Sequence, residues 1–496
     1  ESIIPTTMNR LYVILFLFAI IAGPCRAQIS VGGTFYSLES SVTASTANQT
    51  PFWITSNRYG TVPLESGNGY LRASVYDLRL FPLVGTFAVM SKLDVIYSTP
   101  RDRNMYVQQA FVELLGEYLH ISIGSKEDRT SLWDTELGSG DMVASANARP
   151  VPEINISVPQ FTPLPFTKGL LQVRCNFAAG RSFDADYLKS AYTDDQYYVR
   201  NIFWHHKALH LRIADTGFPL SAVLGIRHRA QWGGISNNPE VGVQPHSFKD
   251  FLRIVAGRSG GESAALGDQI NVLGSHFGSY DIKLGYLDSK LDLHIYKQHF
   301  FNDASGMELF NLTDGLYGIQ ANLHNLTWLN KIVVEYINTM QQSGPVHYVY
   351  YDHALYPGFG GGWDNYYNNG DYTTGMSYFG RSLGSPLLTS PEYNEKGRVG
   401  FRNNRVKAFH AGLSGRLSSQ LAYRLLATSV DNRGTMDLPY LKNKHSMVCA
   451  LKMSYCHPRL ESWQFDAEIA ADAGTMYKNN VGLNLTVTKN GFLKGW

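Results

Sequence analysis

The stretch Trp463-Gln-Phe-Asp-Ala-Glu-Ile-Ala-Ala-Asp472 alternates between apolar and mostly polar side chains. In an extended strand, one face would carry Trp463, Phe465, Ala467, Ile469 and Ala471, and the other Gln464, Asp466, Glu468, Ala470 and Asp472. This period of two predicts a β-strand. Three carboxylates in one row would be costly in a dry core. They fit the polar lumen of a barrel, where neighbouring strands can supply basic partners.

The same alternation recurs along the chain, most clearly in a predicted hairpin. Residues 280–287 and 291–296 both alternate, and Asp288-Ser289-Lys290 would form the turn between them. Further alternating runs occupy 209–213, 224–231, 331–338, 421–427 and 481–487. No fixed repeat or linker divides the chain. The pattern therefore predicts one all-β domain, an antiparallel transmembrane barrel over residues 28–496.

Composition favours a membrane barrel over a soluble β-protein. The 496 residues include 30 Tyr, 25 Phe and 46 Gly; aromatic residues make up 13% and charged residues 17%. Soluble domains carry about 25% charged residues, whereas barrel strands face lipid and end in aromatic girdles. The formal net charge is only +2, and no basic run indicates nucleic acid as a partner.

The N-terminus reads as a signal peptide. Asn9 and Arg10 precede an apolar run over 11–23, which is too short to span a bilayer. Cys25-Arg26-Ala27 resembles a cleavage site, so residues 1–27 are predicted to be a signal peptide with an upstream extension before Met8. Pro24 disfavours lipidation of Cys25. Export through a cleavable signal peptide, together with the predicted membrane barrel, predicts the bacterial outer membrane as the location.

Three further segments carry structural expectations. Ser247-Phe-Lys-Asp250 resembles a capping box, and apolar residues at 248, 251, 252 and 255 predict a short amphipathic helix over 248–256, on the barrel or inside its mouth. The proline- and glycine-rich segment 128–165 is expected to be a long loop. The terminal Trp496 partly matches the aromatic C-terminus of outer-membrane barrels.

Several possible chemical motifs are better explained without catalysis or metal. Gly257-Arg-Ser-Gly-Gly261 formally matches a nucleophile elbow at Ser259, but a helix rather than a strand is predicted before it. His205, His206 and His210 could suggest a metal, although His210 would face the lumen while the pair would lie in a turn. Asp184, Asp186, Asp194 and Asp195 fit solvated loops better than a calcium site. We predict no catalytic residue, metal or cofactor.

The segment from His347 to Phe379 is rich in Trp, Tyr, Gly, Asn and Asp. Sugar recognition needs an aromatic ring for the apolar face of the sugar and planar polar groups for its hydroxyls. An interface girdle, a loop packed by its own aromatics and a porin constriction remain alternatives. The candidate glycan-binding residues are Trp363, Asp364, Asn365, Tyr366, Tyr367, Asn368, Asp371 and Tyr372.

Several motifs, in order, resemble the capsule-assembly Wzi family, in its Bacteroides-type branch. They are the run from Tyr296 to Gly318, Gln231-Trp-Gly-Gly234, the run from Glu335 to Pro345, Asp364-Asn-Tyr-Tyr-Asn-Asn369, and Asn403-Asn-Arg405 with His410. The resemblance covers most of the chain and is strongest over 220–430.

The resemblance implies a barrel of about 18 strands, plugged by a few short helices towards the periplasm. It implies a non-catalytic lectin that binds capsular polysaccharide at the cell surface. Partners would be that polysaccharide, outer-membrane lipid and the barrel-assembly machinery. A porin or diffusion channel is the alternative, and an outer-membrane hydrolase using Ser259 is a third hypothesis. Gln298, Asp303, Asp314 and Arg405 are candidates for an internal polar network.

Overall fold

The computed structural model of the chain describes residues 32–81, 87–100, 104–128, 131–214, 217–262, 264–270, 272–344, 362–395 and 397–495. The predicted signal peptide, the terminal Trp496 and residues 347–361 of the aromatic segment lie outside these ranges.

The described residues form an antiparallel sheet of 18 strands that closes on itself, because β1 pairs with both β2 and β22. The prediction of an outer-membrane β-barrel is thereby confirmed. The barrel strands are β1 (Gly33–Ser45), β2 (Asn68–Phe81), β3 (Phe87–Thr99), β4 (Met105–Leu115), β5 (His120–Ser125), β6 (Glu153–Pro163), β7 (Leu171–Arg181), β9 (Phe203–Ala214), β10 (Leu220–Trp232), β12 (Ser275–Leu287), β13 (Leu291–Phe301), β14 (Gly315–Leu323), β15 (Lys331–Asn338), β18 (Val406–Arg416), β19 (Leu421–Gly434), β20 (Pro439–Cys456), β21 (Trp463–Gly474) and β22 (Asn480–Gly495). Two short pairs lie outside the barrel sheet: β8 (Val199–Arg200) with β11 (Ile235–Ser236), and β16 (Ser377–Tyr378) with β17 (Arg381–Ser382).

The alternation in β21 has the predicted orientation. Ile469 is 57% exposed on the outer wall, whereas Glu468 is 1% exposed and faces the lumen with Asp466 and Asp472. Glu468 forms ion pairs with Arg58 and Arg424. Asp466 pairs with Lys452 (2.9 Å), so two of the inward carboxylates have basic partners, whereas Asp472 accepts hydrogen bonds from the amide of Phe52.

The predicted hairpin is also present, with β12 and β13 joined by residues 288–290. The prediction of a loop throughout 128–165 is wrong for its last third, which forms β6. Ile154 and Ile156 alternate outwards there, but the nearby prolines obscured the pattern in the sequence. Pro159 is accommodated where the register with β7 shifts, between Val158 and Thr162.

Five α-helices are described: α1 (Phe52–Thr55), α2 (Ala185–Ala191), α3 (Phe248–Ala256), α4 (Leu266–Ile270) and α5 (Ala304–Met307), together with a 3-10 turn at Pro391–Tyr393. The predicted helix over 248–256 is confirmed as α3, with the capping box between Ser247 and Asp250 and a left-handed Gly257 at its end. Within the described ranges, no helix combines the length and apolar character needed to cross a bilayer.

The two ends of the barrel differ in their connections. At one end, called here the short-turn end, the eight connections contain three to seven residues each. At the other, the long-connection end, six of nine connections are longer: 46–67, 126–152, 182–202, 233–274, 302–314 and 339–405. All five helices lie in these long connections. In outer-membrane barrels the short turns face the periplasm, so the expectation of helices at the periplasmic end is corrected, since turns this short cannot hold them.

Parts of three long connections fold into the lumen and form what we call the plug: 46–67, 126–152 and 362–405. Trp53 of α1 donates to Thr428 of the wall (3.1 Å between Nε1 and Oγ1). The amide of Met142 donates to Gln298 (2.8 Å), and the hydroxyl of Tyr367 donates to the carbonyl of Met142 (2.5 Å). The plug segments therefore contact both the wall and one another.

Ion pairs also attach the plug to the wall. Arg227 of β10 pairs with Asp281 of β12 (2.6 Å) and with Asp141 of the plug, and both carboxylates are buried. Arg58 of the plug reaches Glu468 of β21. Glu335 of β15 accepts hydrogen bonds from the amide and hydroxyl of Ser139. These contacts fix the plug to widely separated strands.

Candidate functional site

The candidate glycan-binding residues all lie in the connection 339–405, between β15 and β18 at the long-connection end. The structure divides them into a buried and a half-exposed group. Tyr366, Tyr367 and Tyr372 are at most 1% exposed, and Asp364 is also buried. Trp363, Asn365, Asn368 and Asp371 are half-exposed.

The three buried tyrosines hold the connection in place through their hydroxyl groups. Tyr366 donates to Asp314 (3.0 Å), Tyr367 to the plug carbonyl of Met142, and Tyr372 to the carbonyl of Gly233 (3.3 Å). Their rings pack in the same apolar cluster as Phe300 and Phe401. Buried in this way, these rings have no free face for a sugar.

Asp364 is buried beside Ser343 and Ser305, whose hydroxyls donate to its two carboxylate oxygens (2.7 and 3.4 Å). Burial, together with the nearby carboxylate of Asp303, raises the pKa of Asp364 to about 8. The carboxyl group is therefore protonated at neutral pH in the folded connection.

This pKa predicts a pH dependence for the connection. Because the folded pKa lies above the ordinary value of 3.8, the folded state retains a proton that the unfolded state releases. The stability of residues 362–372 is therefore expected to fall as pH rises from about 4 to about 8. Hydrogen exchange at constant salt, corrected for the chemical rate, would measure this fall. Asp364→Asn should remove it, and an unchanged slope in this variant would contradict the prediction.

Three of the half-exposed residues, Trp363, Asn365 and Asn368, lie around Asp437 in the turn between β19 and β20. Trp363 donates to one carboxylate oxygen of Asp437 (3.1 Å) and Asn365 to the other (2.8 Å). The carbonyl oxygen of the Asn365 side chain accepts from Asn404 (2.6 Å) and Asn368 (2.8 Å). The ring and amides are thus fixed next to each other before any ligand binds.

Two arginines adjoin these amides. Asn368 accepts from the amide of Phe401 and donates to its carbonyl, which places Arg402 next to it. Arg405 follows Asn404 directly. Within the part of the chain that the structure describes, neither guanidinium has a hydrogen bond or ion pair, and the Nε atom of each is buried without a partner. Burial lowers the pKa of both, with further lowering from Arg398 at Arg402 and from Arg433 at Arg405.

We call the surface formed by Trp363, Asn365, Asn368, Arg402 and Arg405 the mouth patch. Asp371 is not part of it, because this carboxylate lies towards Asp268 near α4. The sequence did not single out Arg402 or Asp437, and Asn404 was named only as the middle residue of the motif Asn403-Asn-Arg405. The adjacency of Arg402 to that motif could have suggested it, and Asp437 is brought in by the barrel topology.

The four candidates for an internal polar network differ in their burial and in their partners. Gln298 and Asp314 are fully buried. Gln298 bonds Met142, Asp141 and Ser279, and Asp314 accepts from the amides of Gln341 and Gln342, the side chain of Asn338 and the hydroxyl of Tyr366. Asp303 is exposed and caps α5 through Ser305. Arg405 lies at the mouth patch.

The histidines do not converge. His205 and His206 lie in β9, so the expectation that they occupy a turn is wrong, because the strand begins six residues before the alternating run 209–213. His206 faces inwards to Glu153 (2.8 Å), and His210 inwards to Asp281 (2.9 Å). His205 faces outwards. Across the described residues, no three His, Cys, Asp or Glu side chains are grouped as metal ligands.

Ser259 lies in an exposed loop after α3. The preceding helix, in place of the strand that a nucleophile elbow needs, agrees with the expectation from the sequence.

Comparisons with known proteins agree with this architecture. The model of the capsule assembly protein Wzi family matches residues 36–388. No curated protein sequence matches the chain. Among solved structures, the barrel is similar to the Escherichia coli outer-membrane protein Wzi, described as a carbohydrate-binding β-barrel involved in group 1 capsule assembly. The TM-score is 0.57 with 10% identity, covering 99% of this chain and 90% of that one.

More distant similarity extends to two Pseudomonas aeruginosa proteins. OpdQ gives a TM-score of 0.48 with 8% identity over 93% of this chain and 98% of that one. OprD gives 0.45 with 11% identity over 96% and 98%. The family match spans more than half of the chain and begins in β1. The predicted resemblance is confirmed: the chain belongs to the capsule assembly protein Wzi family.

Proposed function

We propose that this protein is an outer-membrane lectin of capsule assembly that binds capsular polysaccharide at the mouth patch, without catalysing a reaction. The long connections would face the cell surface, as they do in outer-membrane barrels. The single observation that carries the proposal is the mouth patch itself. Among the residues that the structure describes, its ring, its fixed amides and its guanidiniums without hydrogen-bond partners form a surface that holds no paired nucleophile and base.

Each part of the mouth patch suits a different part of a glycan. The indole of Trp363 can stack on the C–H face of a sugar ring, and the amides of Asn365 and Asn368 can bond hydroxyls. The guanidiniums of Arg402 and Arg405 suit carboxylates, which they can bind with two hydrogen bonds. A polysaccharide that carries acidic sugars is therefore the ligand class that the patch fits best.

Removing the ring tests the proposal. Trp363→Ala is expected to leave the barrel folded but to release capsule from the cell surface, with purified polysaccharide binding up to about 10-fold more weakly, since contacts with an aromatic ring contribute about 0.5–1.5 kcal/mol. Trp328→Ala is the matched control, because Trp328 is 57% exposed in a turn at the short-turn end. Unchanged binding and capsule retention in Trp363→Ala would contradict the proposal.

A further inference from the structure

The helix α3 lies on the outside of the barrel wall. On β9, the exposed Leu209 and Leu211 mark the outward face, and His205 and Lys207 share that face. His205 is nevertheless fully buried, because the ring of Phe251 in α3 covers it at 5.7 Å between centroids. Helix α3 therefore packs over the outer surface of β9 and its neighbours. Of the two predicted positions, it lies on the barrel rather than inside its mouth, and it is not part of the plug.

One flank of α3 is fixed to the wall. Ile254 is fully buried in a small cluster with Ala230, Trp232 and Leu273. Phe251 also contacts Trp232 and the outward-facing Phe177 of β7. The ammonium group of Lys207 donates to the carbonyl of Val255 and so holds the last turn. These contacts hold the helix against three adjacent strands.

The other flank of α3 is apolar and uncovered within the described residues. Phe248 is 75% exposed and Leu252 is 51% exposed, and Val255 continues their stripe at the spacing of one helical face. Val243, just before the helix, is also exposed. In water, a cluster of large apolar side chains of this kind is unfavourable.

The position of the helix indicates what covers this flank. Leu209, Leu211, Leu224 and Ile226 face outwards on β9 and β10 and belong to the lipid-facing wall. Helix α3 packs on the same two strands beyond these residues, towards the long-connection end, where Phe203 begins β9 and Trp232 ends β10. The apolar flank is thus continuous with the surface that contacts lipid.

Basic side chains lie on a third side of the helix, next to the apolar flank. Lys249 is exposed and Arg253 pairs with Asp250 at 2.9 Å, and the exposed Arg258 follows Gly257 just beyond the end of the helix. An apolar flank beside a basic flank is the arrangement of helices that lie in a membrane interface, with basic groups at the phosphate level.

We propose that α3 is an interfacial helix that inserts Phe248, Leu252 and Val255 among the acyl chains of the outer leaflet and places Lys249 and Arg258 at lipid phosphates. The helix would anchor the part of the wall formed by β7, β9 and β10 at the membrane interface. This inference rests on the barrel fold and is independent of glycan binding at the mouth patch.

Photo-crosslinking tests the contact directly. Benzoylphenylalanine replaces Phe248 or Leu252 in the full-length protein, which is reconstituted in vesicles of phosphatidylglycerol and phosphatidylethanolamine with radiolabelled acyl chains. We expect labelled lipid adducts at both positions, about 5-fold or more above adducts at Glu308, an exposed residue of the connection 302–314. Adducts to a second protein chain, or yields equal to that at Glu308, would overturn the proposal.

The basic flank has its own test. Lys249→Gln combined with Arg258→Gln is expected to lower the adduct yield at position 252 in phosphatidylglycerol-containing vesicles, by about two- to five-fold, and to leave it unchanged in phosphatidylcholine vesicles. A yield that the double substitution leaves unchanged in phosphatidylglycerol-containing vesicles, or lowers equally in both vesicle types, would refute the role assigned to the two basic residues.

Discussion

Arg402→Ala combined with Arg405→Ala is expected to weaken binding of an acidic capsular polysaccharide by about 100-fold. Each guanidinium is half-exposed at the mouth patch, with a buried Nε atom that has no partner among the residues the structure describes. Hydrogen bonds to charged groups contribute about 1.5–3 kcal/mol each, so losing two costs roughly 3 kcal/mol or more. Isothermal titration or surface plasmon resonance with purified polysaccharide would measure the loss.

The substitution of both arginines allows sharp controls. Arg402→Lys combined with Arg405→Lys keeps both positive charges but loses the planar guanidinium groups. We expect this variant to bind the polysaccharide with an affinity between those of the wild type and of the double alanine variant. Arg459→Ala changes an exposed arginine in the turn 457–462 at the short-turn end and should leave affinity unchanged. Affinity should also fall with added salt, because exposed charges are screened. Binding that is insensitive to both arginines would show that the glycan is held elsewhere.

Arg227→Met is expected to loosen the plug and to open a conducting path through the barrel, whereas we expect the wild-type protein to give no current. Arg227 joins Asp281 of the wall to Asp141 of the plug, and its loss leaves two buried carboxylates without this cation. Breaking a buried ion pair by removing one partner costs about 3–5 kcal/mol. Single-channel recordings in planar bilayers and urea unfolding would measure the two effects.

A matched control distinguishes the loss of a buried ion pair from the loss of a positive charge at the surface. Arg433→Met removes an arginine that is 38% exposed and pairs with Asp431, so a change within about 1 kcal/mol and no conductance are expected. Adding Asp141→Asn and Asp281→Asn to Arg227→Met removes the stranded charges and should restore part of the stability. If Arg227→Met stays silent and unfolds at the wild-type urea concentration, the ion pair does not hold the plug. Open currents in the wild-type protein would instead favour a porin.

The elements that the sequence predicted correctly have strong local signals. The alternation around Glu468 fixes which face of β21 meets the lumen, because a carboxylate that faces lipid is costly. The capping box at Ser247 and the glycine at 257 set both ends of α3. The residues of β6 have a weaker signal, because prolines interrupt the alternation of apolar and polar side chains. The strand pairs with β7 through a register that shifts between Val158 and Thr162.

The candidate site was less predictable for a physical reason. A segment rich in tyrosine, asparagine and glycine can bind a sugar or pack on itself, and both uses need the same side chains. Tyr366 and Tyr367 turned inwards because Asp314 and the Met142 carbonyl accept their hydroxyl groups, and these partners are 52 and 225 residues away in sequence. Trp363 remained at the surface, where Asp437 holds its indole. Such distant partners become visible only once the barrel topology is known.

The attachment of the plug also constrains when this protein can fold. Arg58 and Glu468 are 410 residues apart, and the amide of Phe52 reaches Asp472 across 420 residues. The strand pair that closes the barrel, β1 with β22, likewise joins the two ends of the chain. Contacts of such high sequence separation delay folding. The early segments must therefore remain unassembled during synthesis and export, so wall closure and plug docking become one late, shared event at the membrane.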